Sequence, residues 1–351
     1  MWLKSGAYRA SSRTRLILLA WGLVVLLIFS VYAALFVGPF SLPAADIHST
    51  LARLFSGQPI STAMIVVRDL RLARIVLAVL AGACLAVSGT VFQGLLRNPL
   101  ADPFTLGISS GAACGATLAL TCAPAYAWIQ GHLLLLTPVA ALVGAFVAMV
   151  LVLALSRMHG SLSRESLVLG GIVVSTFLGA LISLVKALHE ESVSTIVFWI
   201  MGSFQGRGWE HSFFMLPLMG LGLGCVLLFS RELDILRLGK EQATLLGVAV
   251  TRARVGLLLG AGMLTAAAVS VSGIIGFVGL VVPHLLRVLV GADTRPLLLL
   301  SGLGGAFILL WSDVLARTIL SHGAELPVGV VTALFGGPFF CLVLARTRNM
   351  T

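Results

Sequence analysis

The stretch Arg71–Gly115, RLARIVLAVLAGACLAVSGTVFQGLLRNPLADPFTLGISSGAACG, decides how the chain must be read. It opens with two arginines and runs apolar for about twenty residues, the length that crosses a bilayer core as a helix. Asn98-Pro99 then breaks it, because proline lacks a backbone donor and drives the preceding residue out of helix. The apolar pattern resumes with Gly107, Gly111 and Gly115 four apart, a small-residue face that lets a neighbouring helix backbone come close.

The rest of the chain repeats this theme. Of 351 residues 59% are hydrophobic and only 10% charged, and mean hydropathy is +1.08. Such a balance exceeds what one soluble core can bury and indicates an all-α polytopic membrane protein. Ten spans are expected, near Leu16–Val37, Leu72–Leu95, Thr105–Cys122, Leu133–Ser156, Ser166–Leu188, Phe213–Phe229, Val255–Ser272, Gly276–Val290, Leu297–Leu320 and Pro327–Ala345. A polar stretch up to Arg68 separates the first two. The first run is too long for a signal-peptide core and is kept as a span. The whole chain reads as one transmembrane domain.

With ten spans both termini share a side. Sixteen of the 23 lysines and arginines fall on that side and seven on the other: Arg53, Arg68, Arg71, Arg74, Lys186, Arg207 and Arg317. Excess positive charge marks the cytoplasmic face, so both termini are expected inside. The net charge of +10 is thereby assigned to topology and to no nucleic acid. Five scattered cysteines give neither a disulfide frame nor metal spacing, and His132, His189, His211, His284 and His322 show no ligand spacing either.

The two halves resemble each other. Ser88-Gly89 precedes Pro99 at the spacing by which Ser272-Gly273 precedes Pro283, and Gly144-Ala-Phe146 matches Gly305-Ala-Phe307. Spans two and seven start on opposite sides, which makes the repeat inverted, as in many transporters. No phosphate-binding G-x-x-x-x-G-K-[ST] loop is present, so ATP hydrolysis by this chain is not expected. An ion-coupled secondary transporter is the rival reading, but it normally needs ionisable groups deep in its spans. Asp313 and Lys186 lie towards span ends.

Four motifs, FQGLLRNPLADPFTLGISSGA, SGIIGFVGLVVPHLLRVLVGADTR, SDVLAR and ELPVGVVTALFGGPFF, resemble the FecCD-type permeases over about residues 71–340. These are the membrane subunits of ATP-binding-cassette importers for iron-siderophores, haem and vitamin B12. The resemblance implies a ten-helix subunit working in a pair with a second copy or a close homologue. It also implies two cytoplasmic ATPases, which bind ATP and Mg, and an external binding protein. This chain itself would carry no cofactor and perform no chemistry on its cargo, and the pathway would be lined chiefly by spans three, five and ten.

Three sets of residues follow from the resemblance. The connector Leu233–Val250 reads as two short helices around a turn. In LRLGKEQATLLGV the residues Leu238, Gly239, Glu241, Ala243, Leu246 and Gly247 match the loop that docks into the ATPase; Lys240 stands where the family often has an acid. Arg71 and Arg74, on one face at the outer end of span two, and Arg317, closing span nine, match arginines that receive carboxylates of the binding protein. Their planar forks suit that role; the alternative account is interfacial snorkelling, or for Arg317 a pair with Asp313. Asn98 and Leu100 fall in the loop that pinches the pathway shut, where asparagine beside proline also suits any tight turn. Ser163-Arg164-Glu165 is the second gate candidate. Trp199, Gly202 and Trp209 match a W-x-x-G…W pattern and are read as interface anchors.

Overall fold

The computed structural model describes residues 3–38, 42–53, 62–122, 133–158, 162–320 and 324–348. His132 and His322 lie outside them, as does the side chain of Arg53. The helices are α1 (Leu3–Phe36), α2 (Ala44–Arg53), α3 (Thr62–Ile65), α4 (Ala73–Leu95), α5 (Ile108–Cys122), α6 (Leu133–Met158), α7 (Arg164–Leu188), α8 (Val193–Ile200) and α9 (Trp209–Leu228). The remainder are α10 (Ser230–Leu236), α11 (Lys240–Leu245), α12 (Val250–Ser272), α13 (Val278–Val290), α14 (Thr294–Ala316) and α15 (Val328–Arg348). Among the described residues seven helices are long and apolar enough to cross a membrane, and three shorter apolar ones are α5, α13 and the Val328–Cys341 part of α15. Together they fall on the ten expected spans.

Span two differs most from its expected form. Its helix begins at Thr62 instead of Leu72, and Val66–Leu72 winds as a π-helix that joins α3 to α4 without a break. Arg68 and Asp69 therefore sit on helix, where the sequence alone suggested polar chain ahead of the span, and Arg71 lies on the helix as expected. The reason is local pairing: Arg68 meets Asp69 at 2.8 Å, and Arg71 turns inward onto α1.

α4 and α12, matching halves of the repeat, form the centre. α4 packs on α14, α12, α13 and α9, while α12 packs on α9, α4, α6 and α5. Neither bears a charge between Ile75 and Leu95 or between Val255 and Ser272. At their crossing Ser88 Oγ and Thr265 Oγ1 lie 2.5 Å apart, one polar contact in an apolar interior. Close approach is secured by small residues, since lipid supplies no hydrophobic drive between helices. A Cβ at Gly82 would lie 2.3 Å from the Gly305 carbonyl oxygen, and one at Gly111 2.3 Å from that of Gly144. The matched Gly144 and Gly305 are thus both contact points, but against different partners.

α5 and α13 are short for a physical reason. Fifteen and thirteen residues rise only about 20 Å at 1.5 Å each, less than the ~30 Å bilayer core. Each is preceded by irregular chain: the Leu96–Gly107 segment, with one short 3-10 turn at Pro103–Leu106, and the Gly273–Phe277 strip. Irregular backbone at that depth is tolerated where protein covers it. Ser203 N donates to the Ser272 carbonyl at 2.7 Å, and Gly329 N to that of Gly202 at 3.2 Å.

Candidate functional site

Arginines gather in threes near each end of α4: Arg71, Arg74 and Arg317 at one end and Arg97, Arg237 and Arg287 at the other. At the π-helical end, Arg74 forks onto Asp313 through Nε at 3.0 Å and Nη2 at 2.8 Å, and its Nη1 reaches Glu325 at 2.7 Å. Arg317 Nε stands 3.7 Å from Asp313 one turn away on α14. The last carbonyls of a helix have no partner within it. Arg71 donates to that of Leu35 at 2.6 Å and Arg317 to that of Ala34 at 3.2 Å, so two arginines close the end of α1. Gly38 makes room: a Cβ there would lie 3.2 Å from Arg71 Nε.

All three arginines are buried, and Asp313 is 0% exposed. Their forks are therefore turned onto this chain's own carboxylates and carbonyls, not displayed towards a partner. The Asp313–Arg317 alternative is visible in the sequence through its four-residue spacing. Glu325 and the α1 carbonyls are not, because they reach this point from 251 and 36 residues away.

Beside this cluster lies a cavity of about 300 Å³ lined by Leu120, Phe198, Trp199, Gln205, Arg207 and Glu325, among others. Trp199 is buried there with its indole N–H unpaired, so it serves this cavity and not an exposed boundary. Trp209 instead donates its indole N–H to the Arg68 carbonyl at 3.1 Å. Buried His211 sits between Arg207, at 3.1 Å, and Glu210, at 3.0 Å. Among the described residues no group of three His, Cys, Asp or Glu is placed to hold a metal.

At the other end the chain turns sharply. Asn98 Oδ1 accepts from Leu100 N at 2.9 Å and the Asn98 carbonyl from Ala101 N at 3.0 Å, so this side chain builds its own turn. Leu100 is exposed beside it. Asp102 then caps the short helix Pro103–Leu106 by accepting from Phe104 N, and burial pushes its carboxyl up to about 7. In the second gate candidate Ser163 Oγ caps α7 by accepting from Ser166 N at 3.1 Å. The Leu162 carbonyl beside it accepts from Arg254.

The connector forms the two short helices expected, α10 and α11. Gly239 at φ 137 and Gly247 at φ 79 occupy backbone that side chains rarely adopt. Past α11, Val248 N returns to the Ala243 carbonyl at 2.9 Å and Gly247 N to that of Thr244 at 3.0 Å, a Schellman stop. Ala243 is buried, whereas Leu238, Leu245 and Leu246 are 59%, 87% and 61% exposed and Glu241 is also exposed. The apolar residues of the connector are thus divided: the alanine anchors and the leucines form an outward surface.

Four polar links tie this connector to the spans. Arg97 donates to the Leu236 carbonyl at 2.6 Å, and Arg237 to that of Ala292. Asp234 caps α14 from outside, accepting from Thr294 N at 3.1 Å and Oγ1 at 2.5 Å, and also meets Arg237 at 3.2 Å. Arg295 reaches Ser230 Oγ at 3.1 Å. Burial lowers the Arg237 guanidinium from its ordinary value while Asp234 and Asp293 oppose that, and it stays charged. Sequence reasoning missed Asp234 and Arg237, whose only signal was polarity in a short connector.

Comparison with known proteins places this geometry. The model of the FecCD transport family matches residues 26–346. The chain is 45% identical over 285 residues to the uncharacterized ABC transporter permease protein YvrB of Bacillus subtilis (strain 168), covering 81% of this chain and 80% of that one. It is 43% identical to the hemin transport system permease protein HmuU of Yersinia pestis, over 80% of this chain and 83% of that one. Identity to the cobalamin import system permease protein BtuC of Halobacterium salinarum is 41%, over 82% and 75%. A solved structure described as an inward-facing conformation of a metal-chelate type ABC transporter superposes with a TM-score of 0.80 at 34% identity, covering 93% of this chain and 98% of that one.

Proposed function

Because this chain belongs to the FecCD transport family, we propose that it is the membrane-spanning permease subunit of an ATP-driven importer for a metal chelate, haem or corrinoid. It would work as a pair with a second permease subunit, with both termini cytoplasmic. Two ATPase subunits, binding ATP and Mg, would act from inside, and a binding protein would deliver cargo outside. The observation that carries the reading is the α10–α11 connector. It offers exposed leucines outward and is held by polar links to the end of α4, the α13–α14 turn and α14, so a push on it moves those spans as one body.

In this reading Leu238, Leu246 and Glu241 meet the ATPase while Gly239, Ala243 and Gly247 shape the lever. The Asn98–Leu100 turn stands where the pathway would close. The cavity beside Trp199 and Arg207 fits a cargo entrance, since residues of span three, of the segment between spans five and six and of the approach to span ten meet there. Docking of a binding protein directly by these arginines would require Arg74 to leave Asp313 and Glu325, Arg317 to leave Asp313 and the Ala34 carbonyl, and Arg71 to leave the Leu35 carbonyl. We propose instead that their cluster sets the rigid rim on which such a protein lands.

The test is reconstitution in liposomes with an ATPase and a binding protein, offering labelled ferric siderophore, haem and cobalamin in turn. ATP-dependent uptake of one of them is expected. Uptake driven by a proton or sodium gradient without the ATPase would establish the secondary-transporter reading instead.

A further inference from the structure

The three arginines at the Asn98 end of α4 are not fully answered. Arg97, Arg237 and Arg287 line one chamber of about 460 Å³, together with Gln93, His284 and Val288, and among the described residues no carboxylate lines it. Asp234 and the Ala292 carbonyl engage Nη1 of Arg237. Its Nη2, and both Nε and Nη2 of Arg287, are buried and have no hydrogen-bond partner. Buried donors left unpaired are costly, the more so on a cation. Gly94 keeps the chamber open, because a Cβ there would stand 3.0 Å from Arg237 Nη2.

We propose that this chamber binds the phosphate of an anionic phospholipid. Guanidinium forks match phosphate oxygens in pairs, and basic pockets between spans are where such headgroups settle. The choice of lipid over a free anion rests on α13. Next to Arg287, Leu285, Val288 and Leu289 are 40%, 77% and 68% exposed, an apolar strip along which acyl chains can lie. Val288 belongs to both the strip and the chamber wall. A bound headgroup would bridge α13 to Arg237 at the end of α10, and so hold the connector against the spans.

The experiment uses the full chain, purified in detergent and stripped of lipid, with phosphatidylglycerol, phosphatidylcholine and sodium phosphate as probes. Binding is read by native mass spectrometry and by the shift in melting temperature. Phosphatidylglycerol should bind and raise the melting temperature, and phosphatidylcholine should not. Arg287→Gln should weaken phosphatidylglycerol binding about ten-fold, the scale of a lost charged hydrogen-bond pair, and Arg287→Lys should retain part of it. Val288→Glu, at an exposed position, should displace the lipid by placing a carboxylate at the rim, which keeps the test informative if Arg287→Gln fails to fold. Saturation by phosphate with no preference between lipids would overturn the lipid assignment in favour of a free anion. Equal binding of both lipids by wild type and all variants would overturn the site.

Discussion

The two ends of α4 make the same residue serve opposite purposes. At the π-helical end Arg71, Arg74 and Arg317 meet two carboxylates and two helix-terminal carbonyls. At the Asn98 end Arg97, Arg237 and Arg287 share one carboxylate and two carbonyls, with three guanidinium nitrogens unpaired. The first cluster is nearly closed, with Arg317 Nε unbonded at 3.7 Å from Asp313, and works as a fastening between α1, α4, α14 and the segment before α15. The second is open on one side and has charge left to offer. Counting arginines per loop, as a topology argument does, treats both alike. What separates them is whether an acid arrives from a distant part of the chain.

The largest effect should come from opening the closed cluster. Arg74→Ala takes its forked partner from the buried Asp313 and leaves only Arg317 beside it, at 3.7 Å, and breaking one side of a buried pair costs about 3–5 kcal/mol. A melting curve in detergent should therefore show a large loss for Arg74→Ala. Arg287→Gln in lipid-free detergent should be near neutral, because it removes an unpaired cation. Equal losses at the two ends would abolish the distinction.

The second effect concerns Asp234, the acid that pairs directly with Arg237 at the open end. Asp234→Ala removes the outside cap of α14 and the partner of Arg237, and losing such a cap costs about 0.5–2 kcal/mol. Stability should fall by that amount, and ATP turnover in the reconstituted importer should continue while uptake per ATP drops. Unchanged uptake per ATP would mean that the connector does not need its tie to α14.

Asp102 adds a pH dependence to the same end. Its carboxyl is raised to about 7 in the fold, against ~3.9 in an unfolded chain. The fold thus holds the proton more tightly, and stability from this group is present below pH ~4 and lost as pH rises towards 7. Asp102→Asn keeps an acceptor for Phe104 N and removes the charge. It should raise the melting temperature at pH 8, by on the order of 1 kcal/mol or more in stability, and leave it unchanged near pH 4. No pH dependence of the difference between the two proteins would show that the carboxylate is solvated.

The sequence revealed the fold readily and the clusters poorly. Twenty-residue apolar runs, Asn98-Pro99 and the paired glycines name the spans, because burial in lipid leaves the backbone one economical choice. The α10–α11 connector was legible too, since Gly239 and Gly247 bracket its turns. Span two began ten residues early because Arg68-Asp69 pair locally, which polarity alone does not show. The role of Arg74 depends on Asp313 and Glu325, 239 and 251 residues on. Exposure, not residue type, divided the leucines of the connector from Ala243.

The smallest effect is expected at Gly247, and it sharpens the comparison when set against Gly239. Gly247 lies at φ 79 with open space where a Cβ would go. Alanine there meets only the conformational penalty of the left-handed region, roughly 1 kcal/mol. Gly239 is different: φ 137 and ψ 160 lie in a region essentially reserved for glycine, which costs another residue about 1–3 kcal/mol. A Cβ would also stand 3.0 Å from Gln242 Oε1 and 3.5 Å from Arg97 Nη2, and so press on the open cluster. Arg97 is the residue that holds Leu236, so displacing it loosens the connector from the end of α4. Gly239→Ala should therefore lower uptake per ATP hydrolysed, whereas Gly247→Ala should lower stability slightly and leave that ratio intact. If both variants change the ratio equally, the connector acts through its own shape alone and its tie to Arg97 carries no force.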